Sequence, residues 1–505
     1  MMEDRRPYEV SHIVATKSVN SVESMMASVP LTRTCSWDES FEQVDYSDPW
    51  LDQSEHNIVR EKPLNRENFN KLFDADGRLV DEQSFREAVF KGGVSPDVRP
   101  DAWKFLFGLY PFSSTASERE ILALEYHCRY QALKSRWKSV LAKIKPADEN
   151  ENLLHPSYLP DPSKQRGSSL LEDVLLVLKR AVRFGFEETE DTDDDKVEDD
   201  FVVIDKITVS GDEKLSEEVK QQKQFTDIQA QVYAGRQPYE MSVIRTAIKV
   251  IDKDVPRTDR DHKYFIGDEN PNLGVLRDIL ITFATFHPDV GYAQGMNDVL
   301  SRFLVVLDSE VEAYWCFVKF MDDVYSDFIE SGMLRKLTLL QDLLRQLDRR
   351  LYNHLEECCV SDLLFAHRWL MLSFKREFPF DDALLVFEVI SSNYMEFHSV
   401  LAERERDMER ARDFERAEGG KIRMTEVRTV SDLSFDLFIA LAFLIEIRPI
   451  LLHCQDTADV FQTVNGVFLT SPLDDILCRA ENVFLMYCRR TALEEYQLID
   501  CSPIS

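Results

Sequence analysis

Apolar side chains recur at three- and four-residue spacing through most of this chain, and that period dictates helices rather than strands. Val243, Ile244, Ala247, Ile248 and Ile251 share one helical face, as do Leu273, Leu276, Ile279, Leu280 and Phe283. The same signal marks 311–321, 334–351, 362–378, 383–390, 433–447, 460–469 and 476–487. No alternating run of comparable length competes with it. Glycine accounts for only 16 of 505 residues, about half its ordinary usage of roughly 7%, so tight β-turns are few. The expected fold class is all-α.

Composition excludes several functions. Sixty basic against 91 acidic residues leave a net charge of −31, which disfavours nucleic acid or anionic lipid as the main partner. The longest apolar run, nine residues from Leu437 to Ile445, is far short of the roughly 20 a bilayer span needs. The N-terminus has no apolar stretch of the secretory type. Nine scattered cysteines form no CxxC and the ten histidines no HExxH, which reads as reduced thiols with no metal site. Asp74-Ala75-Asp76-Gly77 opens like a calcium loop, but its twelfth position is Phe85 instead of Glu, so calcium is rejected.

Residues 1–62 are Ser-rich and polar and are expected to form a disordered leader. Within it, Arg33 stands three before Ser36, the pattern of a kinase site, beside the plainer reading of a polar tail. A helical lead-in follows over 63–92, carrying Phe69, Leu72, Phe73, Phe85, Val89 and Phe90 and closed by Gly92-Gly93. Ser95 is expected to cap a helix opened by Pro96. Residues 117–145 read as one long solvent-facing helix. An insertion is expected over about 146–238. Its stretch 187–200 holds ten acids in fourteen residues and repels itself, so 185–225 is expected to be disordered. A second charged stretch spans 402–428, and 491–505 reads as a tail.

Two segments are unusual for a plain helical core. In Ile251-Asp252-Lys253-Asp254-Val255-Pro256-Arg257, Pro256 is expected to end the helix near Ile251. That would leave Arg257 on a loop with Asp254 in reach to hold its guanidinium. In His287-Pro288-Asp289-Val290-Gly291-Tyr292-Ala293-Gln294-Gly295-Met296-Asn297, two glycines bracket Tyr292 and Gln294. Taken singly, each reads more simply as a helix end or an interhelical turn. Together they present a cation and a neutral amide on neighbouring loops. Assisted phosphoryl transfer needs both: positive charge on the transferring group, and a water held in line. The chain has no GxxxxGK[ST], so the nucleotide would be a partner's.

Arg99-x-x-x-Trp103, Ile251-x-x-Asp254-x-x-Arg257 and Tyr292-x-Gln294-Gly295, in this order, resemble the three signature motifs of the TBC-domain family of Rab GTPase-activating proteins. Arg368-Trp369-Leu370 and Phe374-Lys375-Arg376-Glu377-Phe378 look like a later block of the same family. The resemblance spans about 93–490 and implies a multi-helix domain acting on a GTP-bound Rab-type GTPase. It implies catalytic roles for Arg257, as an arginine finger, and for Gln294, as a glutamine finger. Asp254, Tyr292 and Gly295 would support them, while Arg99 and Trp103 would be structural or contact residues. No cofactor of the chain's own is implied, since GTP and magnesium belong to the partner. The setting would be membrane trafficking, with a cytoplasmic protein recruited peripherally to endomembranes or vesicles. The departure from the family pattern is in spacing, since the first insertion is long and 402–418 reads as another; a brake formed by the acidic block folding over the GTPase groove is a separate hypothesis.

Glu198-Asp199-Asp200-Phe201-Val202-Val203-Ile204 resembles the LC3-interacting motif that binds autophagy modifiers, with Phe201 and Ile204 as its two anchors. Tyr496 and Ile499 repeat the shape near the C-terminus, where they also suit the end of a helix. The competing function is a non-catalytic scaffold that binds a Rab or an autophagy modifier, or one that acts through the acidic insertion. A pure scaffold has no physical need for both Arg257 and Gln294.

Overall fold

The computed structural model describes residues 58–143, 217–267, 269–395, 433–466 and 471–500. In chain order its helices are α1 (Arg66–Lys71), α2 (Glu82–Gly92), α3 (Arg99–Leu106), α4 (Ala116–Lys143) and α5 (Glu217–Arg236). Then come α6 (Met241–Asp254), α7 (Pro271–Phe286), α8 (Met296–Leu307), α9 (Glu310–Val324), α10 (Glu330–Leu347) and α11 (Arg349–Glu357). The series closes with α12 (His367–Met371), α13 (Phe380–Ser391), α14 (Phe435–Leu451), α15 (Thr457–Gly466) and α16 (Leu473–Asp500). Short 3₁₀ turns cover Val255–Arg257, Tyr325–Phe328 and Leu364–Ala366. Extended pairing among the described residues is limited to two isolated bridges, Leu64 with Val94 and Phe73 with Leu79. The fold is all-α. Among the described residues no helix is long and apolar enough to cross a membrane.

The chain divides into two compact units. The unit formed by 67–82 and 99–320 holds both unusual sequence segments. At its centre lies α7, nearly every residue of which is buried. Asn270 caps it by accepting from the Asn272 amide at 2.9 Å, and Pro271 stands in the first turn, where a missing N–H costs nothing. The buried Arg277 reaches from α7 to Asp252 on α6, Nε donating to Oδ1 at 2.6 Å and Nη2 to Oδ2 at 3.3 Å. That two-pronged contact fixes α6 in rotation and height. From α4, the buried Trp137 donates its indole N–H to Thr282 Oγ1 on α7 at 2.8 Å.

Several expectations are corrected here. Helix α4 is not solvent-facing: Leu124, Cys128, Tyr130, Leu133, Trp137 and Leu141 are all buried. Its dense charges had masked an inner stripe, and part of that charge is itself enclosed, with Lys134 bonding Asp278 at 3.0 Å and Glu310 at 2.5 Å. Helix α5 occupies 217–236, where the insertion was expected to extend to 238 and disorder to 225. Its packed face is Thr226, Ala230 and Ala234, at four-residue spacing. Such small residues allow close approach to α4 yet contribute little hydrophobic signal. Arg136 of α4 completes the contact by donating to the Ala234 and Gln237 carbonyls at the C-terminal end of α5.

The described residues among 58–66, 83–98 and those from 321 onward form the other unit. Helix α14 is its core, buried almost throughout, and packs against α16 and α10. Lys336 is nearly enclosed and bonds two carboxylates, Asp327 at 2.5 Å and Asp436 at 2.6 Å. Burial alone would lower its pKa, but Asp436 and Asp327 outweigh that and hold the ammonium above its ordinary value. Where a helix was expected to open at Pro96, helix formation begins only at Arg99. Ser95 Oγ donates to the Leu64 carbonyl at 3.0 Å and the Ser95 N–H to the same oxygen at 3.1 Å, so the segment is held as a paired turn. The apolar run 362–378 is broken into a 3₁₀ turn and the short α12, with positive φ at Leu363, Ser373 and Phe374. Helix α16 continues to Asp500, so it takes in most of the expected tail and the backbone of Tyr496 and Ile499. Residues 1–57, the acidic block 187–200, Phe201, Ile204 and 402–428, for which expectations were given above, lie outside the described residues.

Replacing Lys336 with Met leaves two enclosed carboxylates without their cation. Removing one partner of a buried charge cluster costs about 3–5 kcal/mol, so the urea midpoint of Lys336→Met is expected to fall accordingly. An unchanged midpoint would mean the cluster is not buried in solution.

Candidate functional site at the α6 terminus and the loop before α8

Pro256 was expected to stop the helix near Ile251. Instead α6 runs to Asp254 and passes directly into the 3₁₀ turn Val255–Arg257. Val255 stays helical at φ −55° and ψ −48°, and its N–H donates to the Ile251 carbonyl. Pro256 is tolerated because it stands in the first turn of the new 3₁₀ segment, where its absent N–H is not needed. Arg257 therefore projects from the end of a rigid helical rod, not from a loose loop. The turn is closed by Thr258, whose N–H donates to the Val255 carbonyl at 3.2 Å and whose hydroxyl donates to the Asp254 carbonyl at 2.9 Å.

Asp254 is 2% exposed, and a buried carboxylate is tolerable only when its oxygens are well bonded. Oδ1 accepts from Arg257 Nη2 at 2.7 Å and Nε at 3.2 Å. Oδ2 accepts from the Tyr292 hydroxyl at 2.8 Å. Burial, with the Asp254 carboxylate beside it, pushes the Tyr292 phenol well above its ordinary pKa, so it remains a neutral donor. The Arg257 side chain stays 54% exposed. One face of the guanidinium is held by the protein while most of the group is presented outward. At that exposure the pair adds little stability, and its consequence is orientation.

Tyr292 belongs to the loop 287–295 between α7 and α8. This loop is tightly wound. The Gly291 N–H donates to the His287 carbonyl at 2.8 Å, and Gly291 has φ +66°. Gly295 precedes α8 at φ +104°, a region that side chains with a Cβ avoid. Gln294, half-buried, stands immediately before that left-handed residue, so its direction is set by the Gly295 turn. The buried Asn297, in the first turn of α8, accepts from the Gly295 N–H at 3.2 Å and donates through Nδ2 to Thr258 Oγ1 at 2.9 Å.

The structure thus joins Asp254, Arg257, Tyr292 and Gly295 of the sequence candidates in one hydrogen-bonded cluster, with Gln294 on the same loop. Trp103 is fully buried in α3 and packs edge-to-face on Phe303 of α8, ring centroids 5.5 Å apart. It backs the helix that the loop leads into. Arg99 opens α3, one turn before Trp103. Sequence reasoning passed over Thr258, Asn297 and the Asp252–Arg277 pair. The available signal was polar residues directly beside the motifs, Thr258 after Arg257 and Asn297 after Gly295-Met296.

Comparison with known proteins follows from this geometry. The family model of the Rab-GTPase-TBC domain matches residues 207–402. TBC1 domain family member 17 of Mus musculus is 31% identical over 335 residues, which are 66% of this chain and 38% of that protein. TBC1 domain family member 25 of Homo sapiens is 38% identical over 334 residues, 66% of this chain and 34% of its own. The GTPase-activating protein GYP7 of Candida glabrata is 28% identical over 357 residues, 70% of this chain and 38% of that one. Over residues 207–402 the chain matches the TBC-domain family. It spans well under half the length of these curated relatives.

Replacing Tyr292 with Phe leaves Asp254 Oδ2 buried without its donor. An acceptor stranded in this way costs about 1–3 kcal/mol, and denaturant unfolding of Tyr292→Phe is expected to show a loss in that range. No loss would mean that water replaces the hydroxyl.

Proposed function

We propose that this chain stimulates GTP hydrolysis by a Rab-type small GTPase, supplying two side chains in trans. The observation that supports it most is the Asp254 carboxylate, shared by an outward-presented Arg257 and by Tyr292 on the loop bearing Gln294. In this reading Arg257 is a catalytic residue whose guanidinium meets the charge developing on the transferring phosphoryl group and leaving oxygen. Gln294 is the second catalytic residue, its amide orienting the attacking water. Asp254 and Tyr292 are positioning residues. They hold the guanidinium before the partner arrives, so less freedom is lost in the complex. The GTPase contributes the nucleotide, its magnesium and the phosphate cradle. The match to the TBC-domain family and the naming of one relative as a GTPase-activating protein agree with this reading. Its setting would be membrane trafficking, reached from the cytoplasm through peripheral recruitment by the GTPase or other partners.

The test is phosphate release from a panel of GTP-loaded Rab-type GTPases, with wild type, Arg257→Ala and Gln294→Ala. Wild type should accelerate one or a few members. Arg257→Ala should lose about 10³–10⁵-fold of that acceleration, and Gln294→Ala about 10²–10³-fold, the scale for one preorganised transition-state donor. Mutants matching wild type would overturn the catalytic assignment and favour a Rab-binding scaffold.

A further inference from the structure

We propose that Asn297 is a positioning residue that locks the Gln294–Gly295 turn to the Arg257 turn, so that the two side chains are presented as one rigid pair. The inference rests on the GTPase-activating reading of the site. Asn297 is 3% exposed and stands in the first turn of α8, where a packed apolar side chain would serve stability as well. Its two amide ends go to the two different segments. Oδ1 accepts from the Gly295 N–H at 3.2 Å, and also lies 3.2 Å from the Tyr292 hydroxyl. Nδ2 donates to Thr258 Oγ1 at 2.9 Å, and that hydroxyl spends its own hydrogen on the Asp254 carbonyl.

The donor and acceptor pattern explains why an amide is needed. The Gly295 N–H requires an acceptor. Thr258 Oγ1, already donating, requires a donor. A carboxamide satisfies both at once, whereas a carboxylate satisfies only the first and adds charge beside Asp254. The bridge runs from the Asp254 carbonyl through Thr258 and Asn297 to the Gly295 N–H, while the Tyr292 hydroxyl ties the same loop to the Asp254 carboxylate. Gly295, without a Cβ, would otherwise leave the Gln294 turn free to rotate. The Asp254–Tyr292 bond alone fixes one point of that loop. Asn297 supplies the second, next to Gln294 itself.

The experiment combines kinetics with amide exchange on the full chain, using Asn297→Asp, Asn297→Ala, Thr258→Val and the Asn297→Asp/Thr258→Val double variant. With a responsive GTPase, Asn297→Asp at pH 8 should lower kcat about 100-fold, the scale of an ångström-level misplacement, while KM for the GTPase moves by less than threefold. Lowering the pH from 8 towards 6 should move activity of Asn297→Asp towards wild type, because burial beside Asp254 favours the protonated carboxyl, which donates to Thr258 again. Rates are to be taken well below each variant's melting temperature, so that loss of folded protein does not mimic the effect. Thr258→Val removes the bridge from its other end and should lower kcat in the same direction. The double variant should be no worse than the poorer single one. Exchange of the Gly295 amide should quicken in Asn297→Ala while amides in the middle of α8 stay protected.

If wild type is active and Arg257→Ala is not, yet Asn297→Asp keeps wild-type kcat at both pH values, the bridge is overturned and the GTPase-activating reading stands. If wild type activates no GTPase, that reading falls. The exchange measurement then decides the bridge alone: undiminished protection of Gly295 in Asn297→Ala overturns it, and selective loss supports it.

Discussion

A carboxylate buried at the end of a helix sets the terms for everything around it. Asp254 has almost no access to water, and leaving such a charge unbonded would cost more than a domain of this kind can tolerate. Its oxygens must be met by donors that reach inward. Arg257, one turn further along the same rod, meets one oxygen, and Tyr292, from a loop 38 residues later, meets the other. Satisfying the carboxylate and aligning the two segments are therefore the same event. This is preorganisation in its physical sense: the orientation is fixed by the stability of the fold, before any partner binds.

The surroundings make that arrangement stiff. Arg277 grips Asp252 two residues before Asp254, which prevents α6 from sliding or rotating against α7. Trp137 ties α4 to the same α7, and Trp103 packs on Phe303 behind α8. Each contact lies away from the exposed guanidinium, yet each limits where it can point. The glycines act at the opposite extreme. Gly291 and Gly295 adopt positive φ so that the loop can double back and deliver Tyr292 to Asp254.

Much of this was legible in the sequence because it depends on local pattern. Helices α6, α7, α9 and α10 announce themselves through apolar period, and the family resemblance rests on residues at fixed spacing within one or two turns. The bond between Asp254 and Arg257 is of this local kind, three residues apart on one rod. What escaped was structure whose signal is weak or non-local. Helix α5 packs through Thr226, Ala230 and Ala234, too small to register as a hydrophobic stripe. Helix α4 hid an inner face because its enclosed charges look like surface charges until their partners are known. Pro256 was expected to stop a helix, which is its usual effect, but a 3₁₀ turn absorbed it without a break.

The sequence by itself determined the fold class, through its apolar period, and offered the side chains whose chemistry suits assisted phosphoryl transfer, through short motifs that resemble a family. Only the tertiary structure decided that Tyr292 bonds the carboxylate that also holds Arg257. It alone placed the Asn297 amide between Gly295 and Thr258. The bonds of Tyr292 to Asp254 and of Asn297 to Thr258 join residues 38 and 39 positions apart. Their partners are selected by how α6, α7 and α8 pack together, a collective property that no single stretch of chain encodes.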